Sequence, residues 1–141
     1  MAVLALFPGS FDPFTKGHEA ILRRVLPLFD RIVVAVGVNS EKNCMFSTEE
    51  RMERIREAMK DCPTVEVVCY SGMTIDLCHQ LGAKVIIRGI RTAADFEYEQ
   101  LIASVNRSQD PTIETLLVMA DADHRNISST LERERLTHAA E

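Results

Sequence analysis

Apolar and polar positions fall into short alternating blocks along the chain. Ala2 to Phe7 is an apolar run closed by Pro8-Gly9, too brief for a helix, and it reads as a buried strand. Ile21, Leu22, Val25, Leu26 and Phe29 then recur at helical spacing. Ile32 to Val38 is a second apolar run, of the kind covered on both faces in a parallel sheet. After a polar stretch from Asn39 to Phe46, Ser47 and Glu50 predict a capping box. The helix it opens turns Met52, Ile55 and Met59 to one face. Val65 to Tyr70 predicts a third strand, and a short helix from about Thr74 ends at Gly82, a left-handed C-cap. Lys84 to Arg88 predicts a fourth strand, followed by a loop from Gly89 to Ala93. A helix from about Ala94 to Ser108 is stopped by Asp110-Pro111, and Thr115 to Met119 predicts the fifth strand. Ile127 to Thr130 then leads into a final charged helix.

Strands alternating with helices imply right-handed crossovers and an α/β fold, a Rossmann-like parallel five-stranded sheet flanked by helices. The 141 residues hold no internal repeat, low-complexity tract or Pro/Gly/Ser-rich linker, so one domain over 1–141 is expected. In such sheets ligands bind beyond the carboxyl ends of the strands. The polar segments Pro8–His18, Asn39–Phe46, Arg88–Arg91 and Asp121–Thr130 all follow strands, and they are expected to converge on one site.

Composition narrows the function. A hydrophobic fraction of 46% argues for a packed core, and a net charge of −5 gives no support to coating of a polyanion such as nucleic acid. A local group of basic residues still suffices for a small phosphorylated ligand. Cys44, Cys62, Cys69 and Cys78 form no CxxC pair. Cys69 and Cys78 read as core or half-buried thiols, and free thiols fit a cytoplasmic protein. No apolar run approaches the roughly 20 residues that span a bilayer. The first residues show no pattern of a secretion signal, so no membrane partner is expected.

Chemistry concentrates after the first strand, in Pro8-Gly9-Ser10-Phe11-Asp12-Pro13-Phe14-Thr15-Lys16-Gly17-His18. Gly17 lets the main chain approach a ligand closely. His18 stands at a helix N-terminus, beside unpaired N–H groups and the positive end of the dipole, where a phosphate binds well. The alternative for an isolated histidine is a capping or buried side chain. Neither a Walker A sequence nor GxGxxG is present. Arg88 directly follows an apolar strand, where a guanidinium is costly to bury unless it meets an anion.

The continuous FPGSFDPFTKGH, with FSTEERMERI, IIRGIRTAADFEYE and ISST in register, resembles the bacterial phosphopantetheine adenylyltransferases of the (H/T)xGH nucleotidyltransferase superfamily. The resemblance covers nearly all the chain. It implies the nucleotidylyl transferase (adenine nucleotide α-hydrolase-like) fold and adenylyl transfer from ATP to 4′-phosphopantetheine, giving dephospho-coenzyme A and pyrophosphate. The attacking phosphate oxygen is already anionic, so alignment and charge stabilisation suffice, without a general base or covalent intermediate. It further implies Mg²⁺ held mainly by ATP phosphates, with no dedicated protein metal site. A homohexamer, a dimer of trimers, and coenzyme A as a product-like inhibitor belong to the same expectation.

Residue by residue, the resemblance assigns His18 to the α-phosphate as transition-state stabiliser, and Ser10 to both substrates. Lys42 goes to the acceptor phosphate near the reacting groups, and Arg88 to the phosphate on the pantetheine side. Thr74 falls at a pantetheine-contacting position. Phe11 contacts ATP through its backbone. Gly89, Ile90 and Arg91 contact ATP, with Arg91 on its phosphates, and Glu99 is a further ATP position. His124, Arg125, Asn126, Ile127, Ser128, Ser129 and Thr130 close over the nucleotide. Ser128 to Thr130 offer hydroxyls and N–H groups to the β- and γ-phosphates. Asp95, Glu97 and Tyr98 read equally as a solvated helix face or an oligomer contact, and His79 and His138 as structural or surface residues.

Three departures from the family pattern stand out. His124 replaces the usual Trp or Tyr, Phe7 replaces Tyr before Pro-Gly, and the sequence ends soon after its last helix where family members continue into a short apolar one. The last of these carries an expectation of altered assembly. Competing readings are another adenylyl- or cytidylyltransferase of the same fold, a synthetase fragment, which would need KMSKS lysines absent here, and a catalytically silent nucleotide-binding module.

Overall fold

The computed structural model describes residues 2–38, 43–121, 131 and 133–136. Five strands form one parallel sheet in the order β3-β2-β1-β4-β5, with β1 at Leu4–Gly9, β2 at Arg31–Gly37, β3 at Val65–Tyr70, β4 at Val85–Ile90 and β5 at Glu114–Met119. The crossovers carry α1 (Lys16–Val25), α2 (Thr48–Ala58), α3 (Thr74–Leu81) and α4 (Ala93–Gln109). Ile21, Leu22, Val25, Met52, Ile55 and Met59 cover one face of the sheet. Ile75, Leu77 and Cys78 cover the other. Five consecutive residues of β2 are buried, as a strand sandwiched between helical layers requires.

Several boundaries differ from those expected. β1 continues through Pro8-Gly9, still in register with Ala35 and Val36 of β2. Its ladder to β4 covers only Ala5↔Val85 and Leu6↔Ile86. Pro8 has no N–H to give a ladder, and it lies where β1 has already parted from β4. β4 runs two residues past the expected end at Arg88, because Gly89 and Ile90 remain paired with Val118 and Met119 of β5. A Cβ on Gly89 would come within 2.4 Å of Ile21 Cδ1, so the bare backbone lets α1 close onto β4. Cys69 is exposed rather than half-buried, since it alternates outward on the edge strand β3; Cys78 is buried as expected. Gly82 does end α3 in the left-handed conformation, with φ 77°.

The order in which the chain adds strands reverses between β1 and β4, the switch point at which open α/β sheets leave a crevice. Parting of the two strands after Leu6 widens it.

Candidate active site

The Thr15–His18 spacing forms a capping box at the start of α1, with histidine in the place usually held by Glu or Gln. Thr15 Oγ1 accepts the His18 N–H at 3.3 Å, and His18 Nδ1 accepts the Thr15 N–H at 3.0 Å. Thr15 Oγ1 lies 3.0 Å from the same ring nitrogen. Because Nδ1 accepts, the proton of the neutral ring sits on Nε2, which is left to donate to a ligand. Phe14 stacks on the ring, and Phe11 meets it edge-on. Burial, then the fields of Arg91 and Arg88, hold the imidazole below its ordinary 6.5. The capping and functional readings of His18 thus coexist: one nitrogen closes the helix end and the other is presented.

Phe11 has φ 49°, in the left-handed region, while its ring is buried against Phe7. Its conformation turns the chain from β1 back towards α1. Gly17 serves a close approach by Arg91, for a Cβ there would lie 2.6 Å from Nη2. Arg91 follows β4, and its N–H donates to Asp95 Oδ2 at 3.0 Å. Asp95 occupies the last position of a further capping box, on Thr92, so it organises the entry to α4 in addition to facing the cavity.

Arg88 lies within β4 and meets an anion supplied by the protein. Its Nε and Nη2 donate to Glu99 at 2.8 and 2.7 Å, and Nη1 donates to Pro8 O at 2.6 Å. That last contact fills the gap where β1 leaves β4. The bidentate bond to Glu99 holds the guanidinium firmly protonated.

Two cavities open on this seam and share Pro8, Gly9, Ser10, Arg88, Tyr98 and Glu99. One, of about 670 Å³, adds Phe11, Thr15, Gly17, His18, Gly89 and Arg91. The other, of about 580 Å³, adds Arg51, Tyr70, Thr74, Ile102 and Asn106. Thr74 opens α3, with Oγ1 3.2 Å from Tyr70 Oη. Ser10, His18, Arg88, Gly89, Arg91 and Glu99 are therefore gathered in one crevice, and Thr74 faces its second half. Ile90 lies at the end of β4, its carbonyl accepting the Ala120 N–H, and lines neither cavity. Lys42 and His124 to Thr130 lie outside the described residues, as does His138. His79 is bonded to Asp110 at 2.7 Å, away from both cavities.

Two residues around the turn were not assigned from sequence. Asp12 accepts the N–H groups of Met45 and Phe46 at 2.6 and 2.8 Å, tying the turn to the segment before α2. Arg51 is buried and donates to Ser10 O at 2.8 Å. Its only signal was a charge four residues before Ile55, on the core face of α2.

Comparison with known proteins places the chain in a family. Residues 6–135 match the cytidylyltransferase-like family. The phosphopantetheine adenylyltransferase of Flavobacterium psychrophilum is 52% identical over 130 residues, 92% of this chain and 85% of that one. Those of Bacteroides thetaiotaomicron and Leptospira biflexa are 46% and 42% identical, covering 95% and 98% of this chain and 88% and 86% of theirs. A bifunctional NMN adenylyltransferase/ADP ribose pyrophosphatase from Francisella tularensis shares the fold at TM-score 0.66 and 20% identity, over 88% of this chain and 40% of that one. A family match over residues 6–135 and relatives 42–52% identical over more than nine-tenths of the chain show that it belongs to the phosphopantetheine adenylyltransferases, within the cytidylyltransferase-like family.

Proposed function

We propose that the chain transfers an adenylyl group from ATP to 4′-phosphopantetheine, giving dephospho-coenzyme A and pyrophosphate in coenzyme A biosynthesis. The observation that carries this reading is the pair of cavities meeting at Ser10 and Arg88, one holding His18 and Arg91 and the other Thr74. ATP occupies the first and the acceptor the second, so their phosphates meet at the seam. Attack is in-line by an acceptor phosphate oxygen, with no covalent enzyme intermediate. His18 donates Nε2–H to the α-phosphate as charge develops there, and Arg91 faces the leaving phosphates. The neutral imidazole needs no proton transfer to do this. Lys42 and residues 124–130 are assigned to the acceptor phosphate and the nucleotide, respectively.

Among the described residues, no three His, Cys, Asp or Glu side chains are grouped to hold an ion. The carboxylates that line the nucleotide cavity, Asp12, Asp95 and Glu99, accept hydrogen bonds from Met45 and Phe46, from Arg91 and from Arg88, an arrangement compatible with a Mg²⁺ carried on triphosphate oxygens. When bound, the ion supplies charge neutralisation on the phosphates. For assembly we favour a homohexamer, a dimer of trimers. Leu101 is 65% exposed and Met119 64%, with Val105 and Leu116 also exposed on the same α4–β5 portion of the chain. No helix among the described residues is long and apolar enough to cross a membrane. A cytoplasmic location and inhibition by coenzyme A as a product analogue complete the proposal.

The test is pyrophosphate release from Mg·ATP with 4′-phosphopantetheine, or with nicotinate mononucleotide in its place. Release with the former is expected. Turnover with the mononucleotide alone would move the chain to another branch of the fold. Tight ATP binding without turnover on either acceptor would make it a silent module.

A further inference from the structure

Arg51 sits on the core face of α2, 2% exposed. Its Nη1 donates to Ser10 O at 2.8 Å and Gly37 O at 3.3 Å, its Nε to Ser47 O at 3.4 Å, and its Nη2 to Thr48 Oγ1 at 3.2 Å. The three carbonyls belong to the turn after β1, the end of β2 and the N-cap of α2. One side chain thereby joins both ends of the β2–α2 connection to the turn that carries Ser10. All four acceptors are neutral oxygens, and none of the ion pairs among the described residues includes Arg51.

The contrast with Arg88 decides what this arrangement does. Arg88 is matched by the Glu99 carboxylate, so that pair adds little net charge to the seam. A guanidinium cannot shed its proton at any ordinary pH. Arg51 therefore keeps a full charge in the wall of the Thr74-side cavity, to which Ser10 and Arg88 also contribute. Desolvating such a cation is costly, and a nearby anion offsets part of that cost. A guanidinium also has five N–H groups, so one on Nη2 is left over once the four contacts are made.

We propose that Arg51 is a positioning and specificity residue for the acceptor. It holds the Ser10 carbonyl in register with α2, and its charge, unopposed by a carboxylate, selects an acceptor that bears a phosphate. This rests on the adenylyl-transfer reading above.

The test uses the full chain, with Arg51→Met and Arg51→Lys. Calorimetry gives the Kd of 4′-phosphopantetheine and of pantetheine, which lacks the phosphate, and pyrophosphate release gives kcat. For Arg51→Met, phosphopantetheine binding is expected to weaken by about tenfold or more and pantetheine binding by several-fold less than that. Arg51→Lys keeps the charge, so its selectivity should stay within about threefold of wild type. Its kcat should nevertheless fall about tenfold, because a point-like ammonium cannot hold the Ser10 and Gly37 carbonyls as the planar fork does. Equal weakening of both acceptors, or unchanged selectivity in Arg51→Met, would overturn the proposal. If Arg51→Met fails to fold, the lysine variant decides: selectivity lost with the charge retained overturns it, and selectivity retained with kcat reduced supports it. Failure of both variants to fold would assign Arg51 to folding alone and also overturn it. Wild type inactive with phosphopantetheine would bring down the adenylyl-transfer reading and this proposal together, whereas an active wild type with unaltered variants would sink only the role of Arg51.

Discussion

Arg88 and Glu99 meet through two parallel N–H···O bonds of 2.7 and 2.8 Å, in the seam where the two cavities join. The family resemblance assigns these residues to different substrates, one to the acceptor and one to ATP. Their pairing makes them a single unit instead, so that displacement of either group is felt by the other.

Glu99→Ala should therefore cost stability as well as activity. Removing one member of a buried pair costs roughly 3–5 kcal/mol, reduced here to about 2 because Arg88 stays partly solvated. The Arg88 and Glu99 side chains are 28% and 7% exposed, respectively. Urea unfolding checks the loss. The double variant Arg88→Met/Glu99→Leu should recover most of that stability while acceptor binding remains poor. A single variant as stable as wild type would show that the pair contributes nothing.

His18 should titrate below 6.5, since burial and the neighbouring arginines oppose its protonation. Between the folded and ordinary values the unfolded chain binds more protons than the native one. Stability therefore rises with pH through that window and is lost as pH falls below about 6.5. An NMR titration of the ring protons measures this directly, and Arg91→Ala should move the value upward. A His18 titrating at or above 6.5 contradicts the assigned environment.

Thr15→Ala removes the hydroxyl that caps the His18 N–H and lies 3.0 Å from Nδ1. The helix cap is worth about 1 kcal/mol, which chemical denaturation would register. Turnover should fall further than that loss explains, because the ring keeps the Thr15 N–H but loses the hydroxyl, one of its two partners at Nδ1, and Thr15→Ser should restore both. Full activity in Thr15→Ala would separate capping from catalysis.

His18→Ala should lose at least about 100-fold in turnover with the fold intact, as expected for removal of a transition-state contact. Circular dichroism and pyrophosphate release together make the check. An equally active variant, or an unfolded one, counts against the assigned role.

Gly89→Ala would drive a Cβ to within 2.4 Å of Ile21 Cδ1. Overpacking of this kind costs about 1–3 kcal/mol, and Ile21→Val, which deletes the offending methyl, should relieve it. Thermal unfolding of the single and double variants tests the pair. No relief in the double variant would mean that the helix shifts as a whole.

Much of this site was legible in the residues alone. The helix start at Thr15–His18, the Ser47–Glu50 capping box and the Gly82 cap depend on residues within four positions of one another. Such contacts are encoded by spacing. Convergence of the β1 turn and the β4 end followed from the alternation of strands and helices, which dictates a parallel sheet with its ligand crevice beyond the carboxyl ends of its strands. The Arg88–Glu99 pair is not legible from spacing, although its members stand only 11 positions apart, because it joins a strand to the helix after it and forms only when α4 folds back on β4.

The sequence by itself determined the kind and order of the elements, the family and the position of His18 at a helix start, because periodicity and capping are local properties. Tertiary structure alone decided where β1 and β4 part, which carboxylate answers Arg88, and that Arg51 reaches Ser10 across 41 positions and Arg88 reaches Pro8 across 80. Those contacts depend on strand order and on ladder length, and neither is written in the spacing of neighbouring residues. Strand order brings β1 beside β4, and the short ladder between them leaves room for the guanidinium that joins the two halves of the site.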